Sequence, residues 1–188
     1  MEMQSKTWRL TQTAILTALV LVLQLVGAPI RLGIFSVSLV LIPIVLGACL
    51  CGPGVGAWLG LVFGAAVLLS GDATWFMGFS VPGTIITVLL KGTLCGLAAG
   101  LIYKLVARWK WFAGAITAAV ICPIVNSGVF LLGCLTFFYN DLAATASGSV
   151  VWYVLSSMIG FNFLFELGVN IVLAPSIILI MRIAKKMR

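Results

Sequence analysis

Long apolar runs broken by short polar or turn-forming stretches make up almost the whole chain. They cover Leu10 to Val26, Ile34 to Cys51, Val55 to Leu69, Pro82 to Val106, Phe112 to Phe138 and Val150 to Ala174. A helix rises ~1.5 Å per residue, so ~20 apolar residues cross a bilayer core of ~30 Å. The ten-residue alternation of a membrane barrel is absent. Gly27, Ala28, Pro29 and Arg31 end the first run, and the tight CGPG reversal, Cys51 to Gly54, divides the second from the third. Ser70 to Val81 form a loop with Asp72, Trp75, Phe76 and Phe79. Arg108 and Lys110 mark a short loop, and Tyr139 to Ser149 a small polar one. Pro175 closes the sixth run, and a further apolar piece leads to the tail MRIAKKMR. The pattern predicts an all-α integral membrane protein with six transmembrane helices, one domain over residues 1–188.

Composition strengthens that reading and charge orients it. The 188 residues are 63% hydrophobic and 8% charged, with a mean hydropathy of +1.26, more apolar surface than a soluble domain of this size can hide. The net charge of +7 does not point to nucleic acid, because the basic residues gather where membrane topology puts them. With a cytoplasmic N-terminus, the inner segments hold Lys6, Arg9, Lys104, Arg108, Lys110, Arg182, Lys185, Lys186 and Arg188, nine of the eleven Lys and Arg. Arg31 alone falls outside and Lys91 within a span. Both termini are therefore expected in the cytoplasm. Lys6 and Arg9 precede an apolar run with no small-residue cleavage site, so that run reads as the first span and not a removed signal.

Some chemistry is disfavoured. Cys49, Cys51, Cys95, Cys122 and Cys134 all lie in apolar runs, with no histidine and no CxxC pair, and read as small packing residues without metal or cofactor. The chain has no Walker A loop, no paired acidic motif, and no HExxH or GxSxG, so it reads as neither an ATPase nor another enzyme.

A few polar residues inside the spans carry the candidate chemistry. Lys91 lies nine residues after Pro82, roughly 13 Å below the outer surface. A lysine near mid-membrane costs roughly 2.5–3.5 kcal/mol on insertion scales, so it faces a protein interior or a wet cavity. Asn126 and Asn162 fall roughly 18 Å down by the same rise. Asn162, Glu166 and Asn170 share one helix face at i, i+4, i+8. Pro123 leaves the carbonyl of Ala119 without its helical donor. These residues outline a small-molecule pocket open to the outside, with Trp75, Phe76 and Phe79 covering it. The structural alternative pairs Lys91 with Glu166, makes the asparagines interhelical hydrogen bonds, and makes the aromatics interfacial anchors. Gly56, Gly60 and Gly64 form a flat stripe for close helix contact, and Thr7, Thr11, Ala14 and Ala18 form another on the first span. The second stripe suits either docking of a foreign helix or internal packing.

LIPIVLGACLCGPGVGAWLGLVFG (Leu41 to Gly64), Lys91-Gly92, CPIVNSGVF (Cys122 to Phe130) and FELGVN (Phe165 to Asn170) together resemble the substrate-binding (S) components of energy-coupling factor (ECF) vitamin transporters. The resemblance covers nearly the whole chain and is closest to the pantothenate- and riboflavin-type branch. SVSLVLIP stands where riboflavin-type proteins carry an acidic, serine-containing segment. The resemblance implies six helices, a vitamin site near the outer side, and covering loops after spans one, three and five; the reading of the residues puts Lys91, Asn126, Asn162, Glu166, Trp75 and Phe79 at that site. It implies partners: a transmembrane coupling protein and two cytoplasmic ATPases in a bacterial cell membrane. It also implies docking of that coupling protein through Ala14 and Ala18, which match an Ala-x-x-x-Ala motif. A lone cation suits the carboxylate of pantothenate better than neutral riboflavin.

Overall fold

The first apolar run folds as α1, Glu2–Gly27, one continuous helix. The structure, a computed structural model, describes residues 2–27, 31–32, 35–36, 39–145 and 149–186. The second run departs from expectation. Helix α2 spans only Leu41–Cys51 and does not begin at Ile34. Ahead of it, β1 (Arg31–Leu32) and β2 (Phe35–Ser36) pair antiparallel, Arg31 opposite Ser36 and Leu32 opposite Phe35. The sequence there alternates apolar and polar from Phe35 onward, which is the period of a strand. Eleven residues give α2 a length of only ~16 Å.

Gly52 takes φ +100°, a left-handed conformation open to glycine, and turns the chain into α3, Pro53–Leu69. Pro53 sits in the first turn of α3, where its missing N–H costs nothing. After a short helical turn, α4 (Thr74–Met77), Ser80 caps α5, Val81–Val106, by accepting from the Gly83 N–H. Helix α6, Trp111–Phe137, contains Pro123. The loop beyond it is not simply irregular, because α7 forms over Tyr139–Thr145.

The last run also differs from the reading that stops it at Pro175. Helix α8, Val150–Tyr153, passes through a π-helical turn, Val154–Ile159, into α9, Gly160–Lys186, and α9 runs on through Pro175. Proline interrupts one backbone hydrogen bond, and membrane helices tolerate that where neighbouring groups re-satisfy the carbonyl. Among the described residues, four helices are long and apolar enough to cross a membrane: Lys6–Gly27, Val81–Val106, Trp111–Phe137 and Phe163–Ile183. Helices α2 and α3 are shorter.

The largest helix interface joins α3 to α5, and α5 to α6 is nearly as extensive. The glycine stripe explains the first. A Cβ on Gly60 would overlap the carbonyl oxygen of Gly92, and one on Gly96 would overlap that of Gly56. The two backbones are thus in direct contact, as small residues at membrane helix interfaces allow. Helix α2 lies inside this frame with Leu41, Ile44, Val45 and Ala48 fully buried. A second, aromatic-rich core joins Phe76 of α4 to Phe130, Cys134 and Phe138, Leu142 of α7, and Val150 and Val154. It closes one end of the bundle.

Candidate functional site

Lys91 is carried by α5 and is partly buried. Its Nζ lies 5.3 Å from the ring centroid of Phe130 on α6 and 5.9 Å from that of Phe63 on α3. Both rings are within cation–π range. Among the described residues no carboxylate comes within ion-pair distance of Nζ, although Glu166 attracts it at longer range. The Lys91–Glu166 ion pair of the structural alternative is therefore not formed in this structure.

Glu166, 1% exposed, and Asn170, also 1% exposed, lie on α9, and Asn126, 5% exposed, on α6. Asn126 Nδ2 donates to Glu166 Oε2 at 3.4 Å, and Asn170 Nδ2 donates to the Glu166 carbonyl oxygen at 2.8 Å. Asn126 Oδ1, Asn170 Oδ1 and Thr87 Oγ1 are buried with no hydrogen-bond partner among the described residues. Thr87 lies one turn before Lys91 on the same helix face. Asn162 lies on the backbone of α9, and its side chain is outside the described residues. A π-helical turn lies between Val150 and Asn162 and shifts the register of the faces across it.

Of the loop aromatics, Phe76 points inward at 3% exposure, edge-to-face with Phe130 at 5.3 Å and tilted against Phe138 at 5.3 Å. Trp75 is exposed and packs edge-to-face on the partly buried Phe79 at 4.6 Å. Phe130 thus touches the lysine on one side and the α4 plug on the other. The loop is tied to α1 by buried Gln24, whose Nε2 donates to Asp72 Oδ2 at 2.7 Å.

Ala14 and Ala18 are exposed on α1. They line a groove of ≈ 760 Å³ whose far wall is Val55 and Trp58 of α3, and Trp58 Nε1 donates to Thr17 Oγ1 at 3.2 Å. The stripe therefore does not face the interior of the chain.

Residues 8–178 match the family described as ECF transporter, substrate-specific component. The chain belongs to that family. No curated protein and no solved structure matches it. Substrate-specific components of ECF transporters bind a small molecule, associate with the ECF module, and leave ATP hydrolysis to their partners. With several apolar helices, this S component is a multi-pass membrane protein and a transport subunit, not an enzyme. Phe63, Phe130 and Thr87 escaped the sequence reading. Aromatic and threonine residues in apolar runs carry no signal of their own. Only their helical register to Lys91 and Asn126 singles out Thr87 and Phe130.

Proposed function

We propose that this S component captures a vitamin-sized molecule bearing a carboxylate, with pantothenate the first candidate, in the interior around Lys91. The observation that carries the reading is a cation held by two aromatic rings with, among the described residues, no carboxylate within ion-pair distance, together with buried Asn126 and Asn170 oxygens that no described residue bonds. Each buried unmatched polar atom costs about 1–3 kcal/mol, which complementary groups on a ligand would offset. Lys91 would pair with the carboxylate, while Asn126, Asn162, Asn170 and Thr87 orient the ligand's hydroxyl and amide groups. Glu166 would fix Asn126 and Asn170. Phe76, with Trp75 and Phe79 around it, would cover the site.

The proposed topology has six membrane-embedded helices in one unit, α8 and α9 together as the sixth, both termini in the cytoplasm, and the α4–α7 end outside. The Lys and Arg distribution supports it. The proposed partners are a transmembrane coupling protein, seated on the Ala14–Ala18 groove, and two cytoplasmic ATPases, in a bacterial plasma membrane.

The test is mass spectrometry of small molecules released from the purified protein, paired with thermal melting against a vitamin panel. Pantothenate should copurify or raise the melting temperature. A shift with riboflavin or another vitamin would displace pantothenate and leave the S-component role standing. A silent panel, with nothing copurifying, would remove ligand capture altogether.

A further inference from the structure

At the end of the bundle away from the aromatic plug, the chain builds a polar cavity of ≈ 550 Å³. It lies between the α2–α3 turn and the last turn of α5. Lys104 is thirteen residues from Lys91, roughly 20 Å along α5, so the cavity is separate from the ligand site. Arg9, Lys104, Arg108 and Tyr103 supply its polar side chains. Arg9 is seated by one bond, Nη2 to the Cys51 carbonyl oxygen at 2.6 Å, which leaves its remaining N–H groups available. Among the described residues, neither Lys104 nor Arg108 has a hydrogen bond or an ion pair, and no acidic residue lines the cavity. Trp109, 90% exposed, follows Arg108 in the chain and suits the level where bilayer meets water.

We propose that this cavity binds the phosphate of an anionic lipid headgroup. The inner-side charge bias accounts for the sign of these residues but not for three cations converging on one concavity, one of them anchored by a backbone carbonyl. Arg9 and Arg108 match phosphate oxygens with planar N–H pairs, and Lys104 adds a point charge. Basic concavities between membrane helices take phosphate-bearing headgroups by this chemistry. The cavity volume falls within the range of small-ligand sites, about 300–1,000 Å³.

The test titrates the purified full-length protein, in neutral detergent, with phosphatidylglycerol or phosphatidylcholine and reads occupancy by native mass spectrometry. Each cation removed should weaken binding about fivefold, so Lys104→Gln with Arg108→Gln should weaken the first phosphatidylglycerol about 25-fold and leave phosphatidylcholine unchanged. Lys104→Arg with Arg108→Lys keeps both charges and should bind like the parent protein. Competition by inorganic phosphate would make phosphate itself the recognised group, and its failure to compete would make the lipid-borne headgroup the ligand. Either upholds phosphate recognition. Equal phosphatidylglycerol binding by the double glutamine variant overturns it. So does loss of the coupling protein from that variant with lipid binding intact, which would make the cluster a protein contact. Vitamin binding is read separately and does not enter this outcome.

Discussion

Among the described residues, rings approach Lys91 and no carboxylate comes within ion-pair distance, and a variant can separate a binding role from a structural one. A cation needed to neutralise Glu166 would destabilise the empty protein when removed, because it would leave a buried charge unpaired. A cation kept for a ligand carries its desolvation cost in the empty state, so its removal should leave the ligand-free melting temperature unchanged or raised. Lys91→Gln should therefore bind the identified anionic ligand about 10- to 150-fold more weakly, the value of ~1.5–3 kcal/mol for a charge-assisted hydrogen bond. Calorimetric titration together with melting of the empty protein checks both halves. Unchanged affinity would remove Lys91 from the site, and a large drop in melting temperature would return it to a structural ion pair. Polarity in an apolar run made Lys91, Asn126 and Glu166 legible from sequence. Phe63 and Phe130, which flank the cation, were not legible, because a phenylalanine among leucines looks like lipid-facing surface until the fold turns it inward. For the same reason the sequence reading names Trp75 and Phe79 as site residues and not Phe76, yet of the three only Phe76 is buried.

The elements show where local signals decide structure and where they do not. The Gly56–Gly60–Gly64 spacing foretold a close helix contact, and α3 meets α5 through it at the backbone. Gly60→Ala would drive a methyl into the Gly92 carbonyl, which can yield only if one helix moves. Overpacking of this kind costs roughly 1–3 kcal/mol, so the melting temperature should fall. Gly128→Ala is the matched control. Nothing lies within 4 Å of the added carbon, and alanine is the better helix former by roughly 0.5–1 kcal/mol, so its stability should hold or rise. Equal melting of the two variants would mean that α3 and α5 are not in backbone contact. The helix ends were less legible. Hydropathy treats Ile34 to Cys51 as one run, because β2 leads into the buried helix with no charged residue between them. Pro175 reads as a stop in isolation, yet α9 continues through it.

Taken whole, the molecule presents two separated features on different helices. Lys91 and the buried polar residues Thr87, Asn126, Glu166 and Asn170 lie on α5, α6 and α9, while the small-residue stripe lies on α1, exposed beside a groove. Hydropathy made the membrane class and the order of apolar segments readable across the chain. It did not reveal that α2 is only eleven residues long and almost wholly enclosed, since burial against protein and burial in lipid select the same side chains. The separation makes a prediction for the S-component role. Ala14→Trp or Ala18→Trp would fill the groove that a partner helix needs, and the interior around Lys91 contains neither residue. Vitamin affinity should stay within about twofold, since no contact to the ligand changes, while copurification of the coupling protein and uptake into vesicles should both be lost. If affinity fell along with uptake, α1 would be helping to shape the ligand site. If the coupling protein still copurified normally, the stripe would be lipid-facing surface and the docking face would have to be sought elsewhere on the bundle.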